Sequence, residues 1–257
     1  MKPSGKHPKT GGNTPLEDEL SKHIPQLDQF ISTAIHDLRS PLNSSAALAQ
    51  LLLKKFGSEL QPEARWLVEQ IVTQLELQRA TVSGIEEFAA LVNSPKLSPA
   101  SISLDSVIDA ALTNLEKEIL KSGTKITRST MPFVIGDRGQ LVQLFQHILA
   151  NAIRYHSSSL PTIDIAAASI GNRATIIVRD NGLGFGKEYA EIIFGPFKRA
   201  HGASLSGAGL GLATCRNIAG RHGGRIWAES ALGSGSSFYV ELPIAETSPF
   251  DANVERA

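Results

Sequence analysis

The sequence predicts an α+β chain of two domains, a helical hairpin that dimerises into a four-helix bundle, followed by an α/β sandwich built on a mixed sheet. Three observations predict it. Apolar residues recur at helical spacing between Leu27 and Val92, a segment with two prolines interrupts them at residues 94–100, and beyond it period-two stretches alternate with helical ones. At 257 residues the chain is also long for a single core, which tends to run ~100 to 200 residues.

Residues 1–25 hold glycines, prolines, lysines and Ser/Thr with few large apolar side chains, and are expected to form a disordered leader. From Leu27 the apolar series Phe30, Ile31, Ala34, Ile35, Leu38, Leu42, Ala46, Ala49, Leu52, Leu53 and Phe56 describes one long amphipathic helix, kinked or re-registered at Pro41. Gly57 and Ser58 stop it. Pro62 opens a second helix with an inward stripe of Leu67, Ile71, Leu75, Val82, Ile85, Ala89 and Val92. Two helices alone offer too little partner surface for both stripes, so the hairpin, residues 26–94, is expected to pair with a second copy. Residues 95–100 form a linker, residues 101–245 the second domain and residues 246–257 a loose tail. Within the second domain the pattern reads strand 102–104, helix 106–121, strands 125–129 and 133–136, helix 140–156, strands 162–168 and 174–180, a glycine-rich stretch, helix 210–221, and strands 225–230 and 236–242.

Composition excludes several classes. Lys+Arg 25 balances Asp+Glu 25, which gives no basic footprint for nucleic acid. The single cysteine, Cys215, can form neither an internal disulfide nor a structural zinc site and fits a reducing cytoplasm. No stretch approaches the ~18 apolar residues of a membrane span, so a soluble protein is expected. The 25 or so residues before the hairpin are too few for a folded sensor, which assigns the signal to a separate protein or to a longer parent chain.

His36 sits on the long helix about 100° round from Ile35, so it can face solvent while Ile31, Leu38 and Leu42 turn inward. A phosphoryl acceptor must be a neutral imidazole nitrogen whose ring partner holds its proton against a carboxylate, and Asp37 is the nearby acid. Adjacent helical residues do not ordinarily face each other, so the contact needs side-chain bending or a bridging water. An isolated His-Asp pair is ordinary surface chemistry. Here, however, His36-Asp37-Leu38-Arg39-Ser40-Pro41-Leu42 resembles the H box of sensor histidine kinases, in which the histidine is autophosphorylated on a dimerisation hairpin. Ser40 stands where many relatives carry Thr or Asn to position a water for dephosphorylating the regulator. It keeps a hydroxyl but loses the β-branch that fixes the rotamer.

No Walker loop occurs. Glycines cluster instead in Asp180-Asn181-Gly182-Leu183-Gly184-Phe185 and in Gly207-Ala208-Gly209-Leu210-Gly211-Leu212. The second cluster opens a helix, where backbone amides can approach phosphate oxygens. Upstream, His147, Asn151 and Arg154 share one face of an apolar helix; the asparagine oxygen is a hard ligand suited to Mg²⁺ and the guanidinium can meet phosphate. In order, these segments resemble the N, G1 and G2 boxes of the GHKL (Bergerat-type) ATPase fold, and Ile193-Phe194-Gly195-Pro196-Phe197-Lys198-Arg199 looks like the F box. Gln143 to His147 and Arg221 to Ser230 are most similar to the phytochrome-type kinases.

The resemblance implies that Asn151 coordinates Mg²⁺, that Asp180 binds the adenine amino group in a pocket shaped by Gly182 and Gly184, and that Gly207, Gly209 and Gly211 border the triphosphate. Arg154, Tyr155, Phe185, Leu210 and Leu212 complete the expected nucleotide set, and residues 186–206 are expected to form a mobile lid. Two positions depart from the family: His147 replaces the usual Asn, which alters the phosphate contacts, and Gly195 replaces a larger, often acidic residue, which loosens the lid. The implied activity is ATP-dependent autophosphorylation of His36, supported by Asp37, with transfer to an aspartate of a separate response-regulator receiver domain. The rival readings are a degenerate GHKL-fold scaffold and a GHKL kinase acting on another protein; the H box discriminates against the second.

Overall fold

The computed structural model describes residues 15–93, 97, 99–156, 160–200 and 208–245; in the first helix, side chains are described from Ile31 onward apart from Ser32. Helix α1 (Pro15–Phe56) begins earlier than the sequence suggests, so residues 15–25, expected in the leader, are helical. The remaining leader, 1–14, and the tail, 246–257, lie outside the described residues. The helix runs unbroken through Pro41, where a kink is expected. Pro41 is exposed, so water can satisfy the Asp37 carbonyl that the missing amide leaves free.

Helix α2 (Pro62–Val92) carries proline in its first turn and packs antiparallel on α1, with Arg39 of α1 ion-paired to Glu86 of α2. The predicted inward stripe is covered only along its middle, from Leu75 to Ala89. Val82 is buried, as are Ile35 and Ala46 of α1, whereas Leu67, Ile71 and Val92 are about half exposed. Near the turn, Leu48, Leu51, Phe56 and Trp66 are exposed as well, leaving an apolar end of the hairpin uncovered within one chain. At the opposite end Leu91 is buried in the core of the second domain.

That domain runs β1 (Ala100–Ser103), α3 (Leu104–Asn114), α4 (Glu116–Ser122), β2 (Lys125–Arg128), β3 (Phe133–Gly136), α5 (Arg138–Arg154), β4 (Thr162–Ile170), β5 (Arg173–Asp180), α6 (Gly211–Arg221), β6 (Arg225–Ser230) and β7 (Ser236–Pro243). The single helix expected over 106–121 is two helices, because Leu115 turns its side chain into the core and its amide bonds back to Leu112. β1 belongs to a two-stranded ribbon with β3, so Ala100 lies in a strand and not in the linker. The main sheet is mixed, in the order β2-β4-β5-β7-β6, with β2 parallel to β4 and every other pair antiparallel.

Alternation along the strands sets the layers. Ile163, Ile165, Ile176, Val178, Val240 and Leu242 are buried beneath α5 and α6, whereas Trp227 and Tyr239 stack on the other face with centroids 5.1 Å apart. Helix α5 is the centre of the core: Leu141, Leu144, Phe145, Ile148 and Leu149 are fully buried. Asp137 caps its start, accepting from the Gln140 amide at 2.9 Å.

The Asp137 amide in turn donates to Nε2 of buried His222, at the end of α6, over 2.9 Å, and His222 Nδ1 donates to the Ile218 carbonyl at 2.8 Å. Both ring nitrogens are committed to the neutral tautomer. Burial holds the His222 pKa below its usual value of 6.5. The unfolded chain therefore binds a proton that the folded chain resists: the stability contributed is complete above pH 6.5 and declines as pH falls below it. Melting temperature should drop between pH 7 and 5, and His222→Gln should flatten that drop. A Cβ at Gly136 would lie 2.6 Å from the His222 ring and 2.9 Å from Leu141, so Gly136→Ala should cost about 1–3 kcal/mol in denaturant unfolding.

Candidate functional site

A cavity of about 520 Å³ lies where α5, the segment after β5, the start of α6 and helix α2 meet. That is within the range of small-molecule sites, ~300–1,000 Å³. One wall is the polar face of α5, which contributes His147, Asn151, Arg154 and, at its end, Tyr155. The three helix residues lie at spacings that place them on one side, while the apolar residues between them face the core.

The opposite end is built around Asp180, the last residue of β5. Its Oδ1 accepts from the amides of Gly182 at 2.8 Å and Ser236 at 3.1 Å, which leaves Oδ2 for a further donor. Burial raises its pKa above the ordinary carboxylate value while those two bonds oppose the shift. Asn181 ties the turn to β4: its Oδ1 accepts from the Thr162 amide at 2.8 Å and its Nδ2 donates to Leu160 at 3.0 Å. The Leu183 amide donates to the Tyr155 carbonyl at 2.8 Å, which fixes the glycine turn to the end of α5. Gly182 packs against that carbonyl and does not line the cavity; Gly184 and Phe185 do. Gly184 has φ 59°, and a Cβ there would fall 2.0 Å from the Ala231 carbonyl oxygen.

The third side is the approach to α6. Gly209, Leu210, Gly211 and Leu212 line the cavity, and the first helical bond closed is Thr214 amide to Leu210 carbonyl. The amides of Gly211 to Ala213 consequently have no partner within the helix and stand at its positive end. Gly207 lies outside the described residues, as do 201–206 of the expected lid. The described part of that segment forms two short 3₁₀ turns, 187–189 and 192–194, tethered to α6 by Arg216, which bonds Glu191 at 2.6 Å and covers the Phe194 ring. Gly195 caps the second turn with φ −81°, and an added Cβ would lie 3.0 Å from the flexible Lys198 side chain and 3.3 Å from the Ile192 carbonyl oxygen, a crowding that small shifts can relieve.

Several lining residues escape the sequence reading. Ser236 contributes an amide from β7, whose proximity to Asp180 only the sheet register reveals. Lys198 and Arg199 add positive charge; their place in the F-box resemblance was the available signal. Helix α2 closes the cavity with Glu76, Ser83, Gly84 and Glu87, for which no motif speaks. Glu87 Oε1 accepts from Gln143 Nε2 at 2.6 Å and lies 3.3 Å from His147 Nε2, out of line for a well-formed hydrogen bond. The His147 contact is the largest influence holding the Glu87 carboxyl below the usual range; burial opposes it and Gln143 adds to it.

His36 and Asp37 stand outside the cavity, on α1. Their side chains are 85% and 72% exposed, and His36 Nδ1 lies 3.2 Å from Asp37 Oδ1, so bending alone brings the neighbours together with no bridging water. Such an exposed pair adds little stability. Ser40, one turn on, is also exposed.

Residues 136–246 match the family described as "Histidine kinase-, DNA gyrase B-, and HSP90-like ATPase". Over 230 residues the chain is 34% identical to cyanobacterial phytochrome A of Nostoc sp., covering 89% of this chain and 30% of that protein. The chain spans 30–31% of the length of the phytochromes it matches. Among solved structures, full-length ShkA in complex with AMPPNP superposes with a TM-score of 0.64 at 25% identity, covering 86% of this chain and 46% of that one. Histidine kinase ThkA in complex with response regulator protein TrrA gives 0.59 at 20% identity over 91% of this chain and 68% of that one, which speaks for the fold. No helix among the described residues is long and apolar enough to cross a membrane.

Because Gly184 combines a left-handed backbone with direct contact on the Ala231 carbonyl, Gly184→Ala should lower stability by about 2–4 kcal/mol in denaturant unfolding. The same change at Gly195 should cost less than about 1 kcal/mol.

Proposed function

We propose that this chain, which has the sequence and the fold of a histidine kinase catalytic core, transfers the γ-phosphoryl group of ATP to its own His36 and from there to an aspartate of a separate response regulator. One observation carries the reading: three segments far apart in sequence, around Asn151, Asp180 and Gly209, converge on a single cavity in a chain whose helical arm displays a solvent-exposed His36 held by a carboxylate.

Adenine fits the Asp180 end, where the spare carboxylate oxygen can accept from the exocyclic amino group. The phosphates fit the other end, against the amides that open α6 and the guanidinium of Arg154. The cavity contains one hard neutral oxygen ligand on that wall, Asn151, which suits a Mg²⁺ ion held chiefly by phosphate oxygens and water. When bound there, Mg²⁺ offsets charge on the transferring group.

A carboxylate only accepts hydrogen bonds, so Asp37 fixes the His36 proton on Nδ1 and leaves Nε2 as the nucleophile. Nε2 attacks the γ-phosphorus in line, the bond to the β–γ bridging oxygen breaks, and ADP leaves with that electron pair. The ring becomes positive as the P–N bond forms, and Asp37 stabilises it. Since His36 lies outside the cavity, transfer requires the ATP domain to shift on the hairpin or to serve the other copy of a dimer. The uncovered apolar surface at the hairpin turn supports a homodimer through residues 26–94, and the solved kinase–regulator pair of similar fold supports a receiver domain as the onward partner.

Incubation with radiolabelled ATP and Mg²⁺ should give acid-labile, base-stable label on the protein. His36→Gln should abolish it and Asn151→Ala should lower it at least 100-fold; absence of label from the wild type would sink the reading. In sedimentation analysis the wild type should be dimeric, and Leu67→Glu combined with Ile71→Glu should shift it toward monomer.

A further inference from the structure

Helix α2 is held to the ATP domain at three places. Near its end the Arg221 guanidinium donates to the Leu91 carbonyl at 2.6 Å, and Leu91 itself is buried in the domain core. Two turns earlier Gly84 lies against Leu210 and Ala208, in the segment that leads into α6. Between them Glu87 reaches α5 through Gln143 and His147.

These anchors differ in kind. The Leu91 anchor combines a side chain buried in the core with a carbonyl bonded by Arg221, and Leu91 does not line the cavity. The Glu87 anchor is electrostatic and lies inside it. His147 stands between Glu87 and the opening of α6: its Nε2 faces Glu87 at 3.3 Å, while its Nδ1 is 3.2 Å from where a Cβ on Gly211 would be. Asn151 lies one turn along α5 from His147, with Arg154 beyond it on the same wall. Of the two glutamates that α2 presents to the cavity, Glu76 and Glu87, it is Glu87 whose carboxylate lies against the imidazole that abuts the opening of α6. An anion brought there by a ligand would be repelled by Glu87 and would compete with it for His147.

We propose that Glu87 is an internal anionic placeholder for the nucleotide phosphates: phosphate binding displaces it from His147 and Gln143, which releases the middle of α2 from the ATP domain while Leu91 and Arg221 remain as the pivot. The inference rests on the nucleotide reading given above. It makes Glu87 a positioning residue that sets nucleotide affinity and couples it to the docking of the hairpin, and it gives His147 a purpose that the asparagine usual in the family would not serve.

The test uses the full chain and isothermal titration with AMPPNP and, separately, with uncharged adenosine. Glu87→Gln keeps shape and removes charge; it should tighten AMPPNP binding about five-fold at low salt and leave adenosine unchanged. Gln143→Met, which cuts the tether from outside the cavity lining, should act in the same direction. Spin labels at Arg79→Cys on α2 and Leu232→Cys on the ATP domain should move apart when AMPPNP binds to the wild type, and adenosine should not move them. AMPPNP affinity unchanged or weakened in both variants, an equal effect on adenosine, or label distances indifferent to AMPPNP would each overturn the placeholder while leaving nucleotide binding intact. Failure of the wild type to bind either ligand would instead overturn the nucleotide reading itself.

Discussion

Helix α5 has to satisfy two environments at once, and the arrangement of the domain follows from that constraint. One face, from Leu141 to Leu149, is fully buried against the sheet and against α3 and α6; the other lines the cavity with His147, Asn151 and Arg154. Its first turn is fixed by Asp137 and His222, and the carbonyl of Tyr155, the residue that caps its end, by the Leu183 amide. The polar face therefore sits on a helix held at both ends by bonds and along its length by packing. A functional side chain on such an element needs little further ordering when a ligand arrives.

The ATP domain was largely legible because its elements are short and strongly patterned. Strands 133–136 and 225–230 are found at their predicted bounds, since period-two burial leaves little freedom of register once one face is apolar. The motif residues of the cavity were legible for a different reason: family resemblance carried them, and the geometry brings Asn151, Asp180 and Gly209 to one space. Gly182 shows the limit. Its glycine reflects a carbonyl from α5 pressed against it, a contact between elements that no local pattern encodes.

The hairpin was legible in outline and misread in detail. A stripe of apolar residues shows that a helix has an inward face without saying what lies there. In α2 the answer changes along the helix, from an uncovered surface at Leu67 and Ile71 to the cavity at Glu76 to Glu87, and to the domain core at Leu91. The polar residues of the middle stretch look like a solvated face in sequence because only tertiary placement turns them to the cavity and brings Glu87 to α5. The start of α1 was missed because prolines and small polar residues at 3–15 lowered the apolar content of a window that spans the true helix start.

The Phe197 amide donates to the Gly209 carbonyl at 2.8 Å, and both residues have positive φ, 60° and 71°. The bond clasps Phe197 to the approach to α6, and the domain holds the strain of a left-handed phenylalanine there. An insertion beside Phe197 or Gly209 would break this clasp, so these two residues fix the points at which the chain between them begins and ends.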